Sequence, residues 1–125
     1  MKTKETIDHI KNWLSSYSKT SKTEGFIIGI SGGIDSAVTS TILAQTKLPL
    51  LCLEMPIHQN LRQVSRGKKH IKWLEKKYEN VSSAEIDLTD IFESFKKISN
   101  VETKDANLAL ANTRSRLRMT TLYYH

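Results

Sequence analysis

Cysteine is almost missing. Cys52 stands alone among 125 residues, which excludes an internal disulfide and suits a reducing compartment. No apolar run approaches the ~20 residues that a membrane span needs. The opening Met1-Lys2-Thr3-Lys4-Glu5 lacks the apolar stretch of a secretory signal, so the expected location is the cytoplasm, away from membranes. Internal repeats and low-complexity tracts are also absent. With 38% hydrophobic and 26% charged residues, the composition argues against disorder. One globular domain remains, able at this length to bury about two-thirds of its unfolded surface.

Positive charge is in excess but unevenly spread. The net charge is +6. Arg62 to Lys77 holds seven basic side chains against one acid, Glu75, and outside that stretch the two signs balance. Arg62, Arg66, Lys69 and Lys76 recur at helical spacing, while Val64, Ile71, Leu74 and Tyr78 recur on another face. A phosphate- or nucleic-acid-binding patch would produce this pattern. A solvated helix face above an apolar stripe would produce it too, and the scarcity of aromatics for base stacking favours that second reading.

Along the chain, Ile7, Ile10, Leu14 and Tyr17 form one helical stripe with Trp13 at its border. The polar stretch Ser15 to Glu24 is expected to end that helix. Phe26-Ile27-Ile28-Gly29-Ile30 reads as a central parallel strand buried on both faces. Ile34 to Thr46 carries Ala37, Val38, Ile42 and Leu43 at helical spacing. Leu50 to Met55, between Pro49 and Pro56, reads as a second strand. A polar loop, His58-Gln59-Asn60, precedes the basic helix, and Ala84 to Leu88 reads as a weaker third strand. Thr89 to Ile98 has the pattern of an amphipathic helix with Thr89 as its cap. A last helix from about Asp105 contains Leu108, Ala111, Met119 and Leu122, and runs to His125 with no glycine stop and no following strand. That fits either a terminal helix or a chain stopping before its next strand. Strands alternating with helices predict an α/β fold, an open parallel sheet with helices on both faces.

The chemistry concentrates in Gly29-Ile30-Ser31-Gly32-Gly33-Ile34-Asp35-Ser36, between the first strand and the next helix. Adjacent glycines permit a sharp turn with positive φ and close approach of an anion. The N–H groups opening the helix and its dipole then favour negative charge at the carboxyl end of a strand. Ser31 and Ser36 offer hydroxyl donors. A carboxylate such as Asp35 beside phosphates requires an intervening cation, which implies Mg²⁺ with a nucleotide. The Gly-Lys-Ser/Thr of a Walker loop does not occur, and Ser36 occupies the place of the third glycine of a dinucleotide fingerprint. A bare glycine turn would account for the two glycines, though not for Ser, Asp and Ser in register around them.

Ser31-Gly32-Gly33-Ile34-Asp35-Ser36 resembles the signature of the PP-loop ATP pyrophosphatases. Asn112-Thr113-Arg114-Ser115-Arg116-Leu117-Arg118-Met119, followed by Leu122-Tyr123, is similar to the Asn-x-Lys/Arg-x-Arg-x-Arg-Met segment of ammonia-dependent NAD synthetases. Glu24-Gly25-Phe26 and Leu53-Glu54-Met55-Pro56 fit the same family, and the likeness extends from about Ile7 to Tyr124.

The resemblance implies an adenine nucleotide alpha hydrolase-like, Rossmann-like fold. It also implies ATP-dependent amidation of deamido-NAD with ammonia through an adenylate, releasing AMP and pyrophosphate. On that basis Gly29, Ile30, Ser31, Gly32, Gly33, Ile34, Asp35 and Ser36 would hold the ATP pyrophosphate, and Asp35 would ligate Mg²⁺. Arg116, with Arg118 as a weaker neighbour, would contact deamido-NAD, and Gln59 lies where the family binds adenosine. No side-chain nucleophile is expected, and Cys52 reads as a core residue. Family members are longer and dimeric, so residues 1–125 are expected to form the N-terminal part of one ATP-binding domain in a homodimer. Met119 and Leu122 are candidates for the interface or for the core. Two alternatives share parts of these features: another PP-loop enzyme, tRNA-modifying or GMP synthetase-like, and a non-catalytic nucleic-acid-binding module.

Overall fold

The computed structural model describes residues 1–100 and 106–125. Its three short strands, β1 (Phe26–Gly29), β2 (Leu50–Glu54) and β3 (Val81–Glu85), pair in parallel in the order β1-β2-β3. Phe26 lies opposite Leu50, and Leu50 opposite Val81. Five helices accompany them among the described residues: α1 (Thr3–Ser21), α2 (Ile34–Gln45), α3 (Leu61–Lys77), α4 (Thr89–Ser99) and α5 (Ala106–Tyr124).

Successive side chains of a strand point to opposite faces, so each apolar strand must feed two cores. Leu50 and Cys52 join Ile30, Leu43, Ala44, Ile71 and Leu74, with Leu14, Phe26 and Ile28 against them. This core lies under α1, α2 and α3. The alternate residues face the other way: Leu53 clusters with Met55, Ile57, Leu88 and Phe92, flanked by Ile27, Leu51, Leu110, Leu117 and Leu122. That second core lies under α4 and α5. The result is the expected parallel sheet with helices on both faces. No helix among the described residues is long and apolar enough to cross a membrane.

Several boundaries differ from the sequence expectations. Helix α1 ends within the polar stretch Ser15 to Glu24, as expected, but late in it, at Ser21, with Lys22 in a left-handed conformation. The serines sustain it: buried Ser18 donates from Oγ to the Thr23 carbonyl at 2.9 Å, and Ser21 Oγ bonds back to the Tyr17 carbonyl at 2.8 Å. Of the expected stripe, Leu14 packs on the core, whereas Trp13 and Tyr17 are exposed and stack on each other at 5.3 Å. Among the described residues β2, rather than β1, occupies the middle of the three strands, and β1 pairs with β2. The third strand begins three residues earlier than Ala84, at Val81. Its exposed Ser82, Ser83 and Ala84 carry no apolar signal, and backbone pairing with β2 decides its register.

Thr89 is the first residue of α4 rather than its cap, since the Asp87 carboxylate accepts from the Thr89 N–H at 2.9 Å. Only Phe92 of that helix is buried. Helix α5 runs from Ala106, and its expected start at Asp105 lies outside the described residues. The basic helix divides as expected, with Gly67, Ile71 and Leu74 buried and the cationic residues outward.

Asn80 locks the entry to the sheet. Its Nδ2 donates to the carbonyls of Ala44 and Leu48 at 3.0 and 2.8 Å, while its own carbonyl accepts from Leu50 N–H at 2.9 Å. Cys52 is a core residue, fully buried in β2. Burial, assisted by the nearby Glu75 charge, pushes its thiol up to about 11.

Two outcomes are expected for the full-length folded protein. Leu53→Ala, at a fully buried site facing α4 and α5, costs about 2–5 kcal/mol in chemical denaturation. Cys52 resists iodoacetamide at pH 8 until denaturant is added. Because its thiol ionises later in the folded than in the unfolded state, this group's effect on stability is felt only above pH 9 and grows as pH rises towards about 11.

Candidate phosphate-binding site

The chain leaves β1 and must reverse into α2 within a few residues. Gly32 makes the reversal, at φ +81°, in the left-handed region that glycine enters freely. Space demands glycine there as well, because a Cβ would fall 2.2 Å from the Gln63 carbonyl oxygen of α3. Gly33 differs from the expectation of a paired left-handed turn. It is extended at φ −90°, and a Cβ on it would meet only the Ser31 Oγ at 3.3 Å.

Hydroxyls fasten the loop from inside. Ser31 N–H donates to Ser36 Oγ at 3.3 Å, Gly33 N–H donates to Ser31 Oγ at 3.1 Å, and Ser36 Oγ donates to the Gly33 carbonyl at 3.1 Å. The two hydroxyl oxygens are 3.2 Å apart. Ser31 and Ser36 therefore shape the turn rather than standing free as donors to a ligand. The N–H groups that open α2 are the better candidates. The Ala37 N–H reaches back to the Gly33 carbonyl at 3.3 Å, so those of Ile34, Asp35 and Ser36 precede any helical acceptor. They sit at the positive end of the helix dipole.

Asp35 lies in this first turn and is exposed. Among the described residues no group of three or more His, Cys, Asp or Glu gathers as a metal cage. A lone carboxylate beside a phosphate cradle nonetheless suits Mg²⁺, which takes one or two protein carboxylates and completes its shell with phosphate oxygens and water.

On one side of the loop a cavity of about 340 Å³ is bounded by Gly29, Ile30 and Ser31, by Met55 and Gln59, and by one face of α5. That face presents Ala111, Ser115, Arg118, Met119 and Leu122, a set at helical spacing. Arg118 is half-buried, and its Nε donates to the Met55 carbonyl at 3.0 Å while Nη2 reaches Gln59 Oε1 at 3.4 Å. Burial, with Arg114 nearby, lowers its pKa, though a guanidinium remains charged. Gln59 is held through its neighbours. Asn60 caps α3 by accepting the Arg62 N–H at 2.8 Å, and His58 Nε2 lies 2.8 Å from Glu93 Oε1 of α4. That hydrogen bond holds the Glu93 carboxyl below its usual value.

Gly29 to Ser31, Gln59 and Arg118 thus line one space. Arg116 is exposed on α5 and is not among the residues bounding that cavity. Met119 and Leu122 face the cavity, and Leu122 also packs on the second core. Arg66 was not anticipated at the loop; its Nε donates to the Gly32 carbonyl at 3.2 Å. Its spacing with Gly67, the small residue on which α3 closes against Ile30 and the Gly32 nitrogen, was the available signal. Ser115 was also missed, although it lies three residues before Arg118 on the same face.

These features define an α/β domain with a glycine turn between its first strand and second helix, whose open N–H groups suit an anion. The chain belongs to the NAD synthase family, whose model matches residues 6–125. It is 35% identical over 126 residues to the NH3-dependent NAD(+) synthetase of Mesoplasma florum, an alignment covering 98% of this chain and 49% of that protein. Among solved structures it is similar to an NMN synthetase from Francisella tularensis, with TM-score 0.87, 31% identity, and coverage of 99% of this chain and 50% of that one. The NH3-dependent NAD synthetase of Campylobacter jejuni gives TM-score 0.85 at 26% identity, with 98% and 51% coverage. The chain spans about half the length of the curated relatives it matches.

The two glycines are expected to respond differently. If the turn is the ATP phosphate site proposed below, Gly32→Ala, strained in φ and in collision with Gln63, abolishes binding of an ATP analogue measured by calorimetry. Gly33→Ala, which needs only a small shift of Ser31, weakens it no more than about tenfold.

Proposed function

We propose that the full-length protein uses ATP to amidate the carboxylate of deamido-NAD with ammonia, releasing AMP, pyrophosphate and NAD. One observation carries this reading. The glycine turn and the Gln59–Arg118 wall converge on the carboxyl edge of a parallel sheet in a chain of the NAD synthase family.

A carboxylate does not exchange its oxygen for ammonia directly, because the leaving group would be too basic. A substrate carboxylate oxygen attacks the α-phosphorus of ATP, and the bond to the bridging oxygen of the β-phosphate breaks. Its electron pair leaves with pyrophosphate. Ammonia then attacks the acyl carbon and loses a proton, and AMP departs with the original carboxylate oxygen. The N–H groups of Ile34, Asp35 and Ser36 would bind the departing pyrophosphate, and Asp35 would hold Mg²⁺. That ion would neutralise charge developing on the phosphate oxygens. Gln59 would meet the adenosine. Arg118, and the exposed Arg116, would pair with carboxylate or phosphate groups of the dinucleotide through their paired donors. No residue need act as nucleophile, since positioning and charge neutralisation supply the catalysis. A homodimer would complete the substrate site.

The likeness to an NMN synthetase supports a second reading within the same chemistry, in which the acid is the mononucleotide that yields NMN. The test supplies ATP, Mg²⁺ and ammonia with either acid and follows amide, AMP and pyrophosphate. Equal amounts of NAD, AMP and pyrophosphate from the dinucleotide are expected. Amide from the mononucleotide alone would transfer the assignment, and no amide from either would end it. Asp35→Asn is expected to lower turnover by about 10²- to 10³-fold, the order lost when a stabiliser of transition-state charge is removed.

A further inference from the structure

The basic helix α3 is the one strong sequence feature that the proposed reaction leaves without a task. Its cations are not equivalent in the structure. Lys68 pairs with Glu85 at 2.9 Å, and Lys77 lies over the Trp73 ring at 4.9 Å. Arg62 is exposed one turn before Arg66, with no side-chain bond among the described residues. Arg66 alone of this group reaches the loop, through the bond from its Nε to the Gly32 carbonyl. No carboxylate pairs with it among the described residues.

Arg66 also borders a second cavity, of about 390 Å³, on the side of the loop away from α5. That volume falls within the range of small-ligand sites. Gly32, Gly33 and Ser36 form one wall, and Arg66 and His70 another. His70 cannot serve as the anion's counter-charge near neutrality. Its Nε2 lies 2.8 Å from Ser40 Oγ, and burial lowers its pKa, which keeps the ring neutral. The cation of this cavity is therefore Arg66. Its guanidinium has five N–H donors in a planar fork, and the Gly32 bond uses one of them. The two cavities differ in character. The α5 side offers Met55, Met119, the Gln59 amide and Arg118, whose guanidinium is bonded to the Met55 carbonyl and Gln59, a set suited to a nucleoside and its substrate. The α3 side offers the glycine backbone, Ile30, Ile34 and Ala37, and the Arg66 guanidinium held at the Gly32 carbonyl.

We propose that Arg66 is a pyrophosphate-binding residue, which draws the β- and γ-phosphates of ATP into the cavity between the loop and α3. The inference rests on ATP being the loop's ligand. The Gly32 bond holds the fork in place before phosphate arrives, so little side-chain freedom is lost on binding. As the α-phosphorus bond breaks, negative charge builds on the leaving pyrophosphate, and a cation fixed at that end stabilises it.

The test measures inorganic pyrophosphate and AMP binding to the full-length protein by calorimetry with Mg²⁺ present. It compares wild type with Arg66→Ala, Arg66→Lys and, as control, Arg62→Ala. Arg66→Ala is expected to weaken pyrophosphate at least tenfold while AMP changes less than twofold. Arg66→Lys should recover part of the loss, and Arg62→Ala should behave as wild type. Equal weakening of AMP and pyrophosphate would reduce Arg66 to a brace for the loop, and unchanged pyrophosphate affinity would exclude the contact; either overturns the proposal. If Arg66→Ala does not fold, Arg66→Gln replaces it, and affinity equal to that of Arg66→Lys overturns the proposal. Binding does not depend on which acid is amidated. Arg66-dependent pyrophosphate binding without NAD formation would thus refute the proposed reaction and leave this inference standing.

Discussion

The backbone at Gly32 must cross the carbonyl of Gln63 with no room for a side chain, and much of the site follows from that contact. It brings α3 against the loop and places Arg66 beside the Gly32 carbonyl. It also leaves the N–H groups opening α2 directed away from the protein interior. A side chain at this point would push α3 outward and pull the Ile30 end of the turn from its core contacts with Ile71 and Leu74. The shape of the turn and core packing are therefore not separate properties here. The same few ångströms of backbone serve both.

Parts of this arrangement were legible in the residues and parts were not, for reasons of length scale. Phe26 to Ile30 and Leu50 to Met55 announce strands because burial on both faces demands continuous apolar character. The turn announces itself because glycine, serine and aspartate there have few other common uses. The third strand was misplaced because Val81 to Glu85 is largely exposed, so backbone pairing with β2 outweighs any apolar pattern. The extent of α1 was hidden because Ser18 and Ser21, which usually favour helix ends and turns, bond to nearby carbonyls and sustain the helix.

The difference between Arg66 and Arg62 was illegible for another reason. Both lie on the polar face of one helix, and only the tertiary approach of α3 to Gly32 separates a cation at the loop from one in solvent. Arg118 and Arg116 divide similarly across α5, since two residues along a helix turn the side chain through more than half a circle. Arg118 enters the cavity through bonds to Met55 and Gln59. Periodicity tells which residues share a face, but not which neighbour that face will meet.

Strand β1 carries the phosphate turn and is hydrogen-bonded along one edge only among the described residues. A strand held on one side opens locally at lower cost than one held on both. The described residues thus support the turn along one edge. Any segment that pairs with the free edge of Phe26–Gly29 would stiffen that support and reduce the ordering entropy left for the nucleotide to overcome. For the proposed nucleotide site, sheet extension and affinity would in this way be thermodynamically linked, without any contact between the added segment and the ligand.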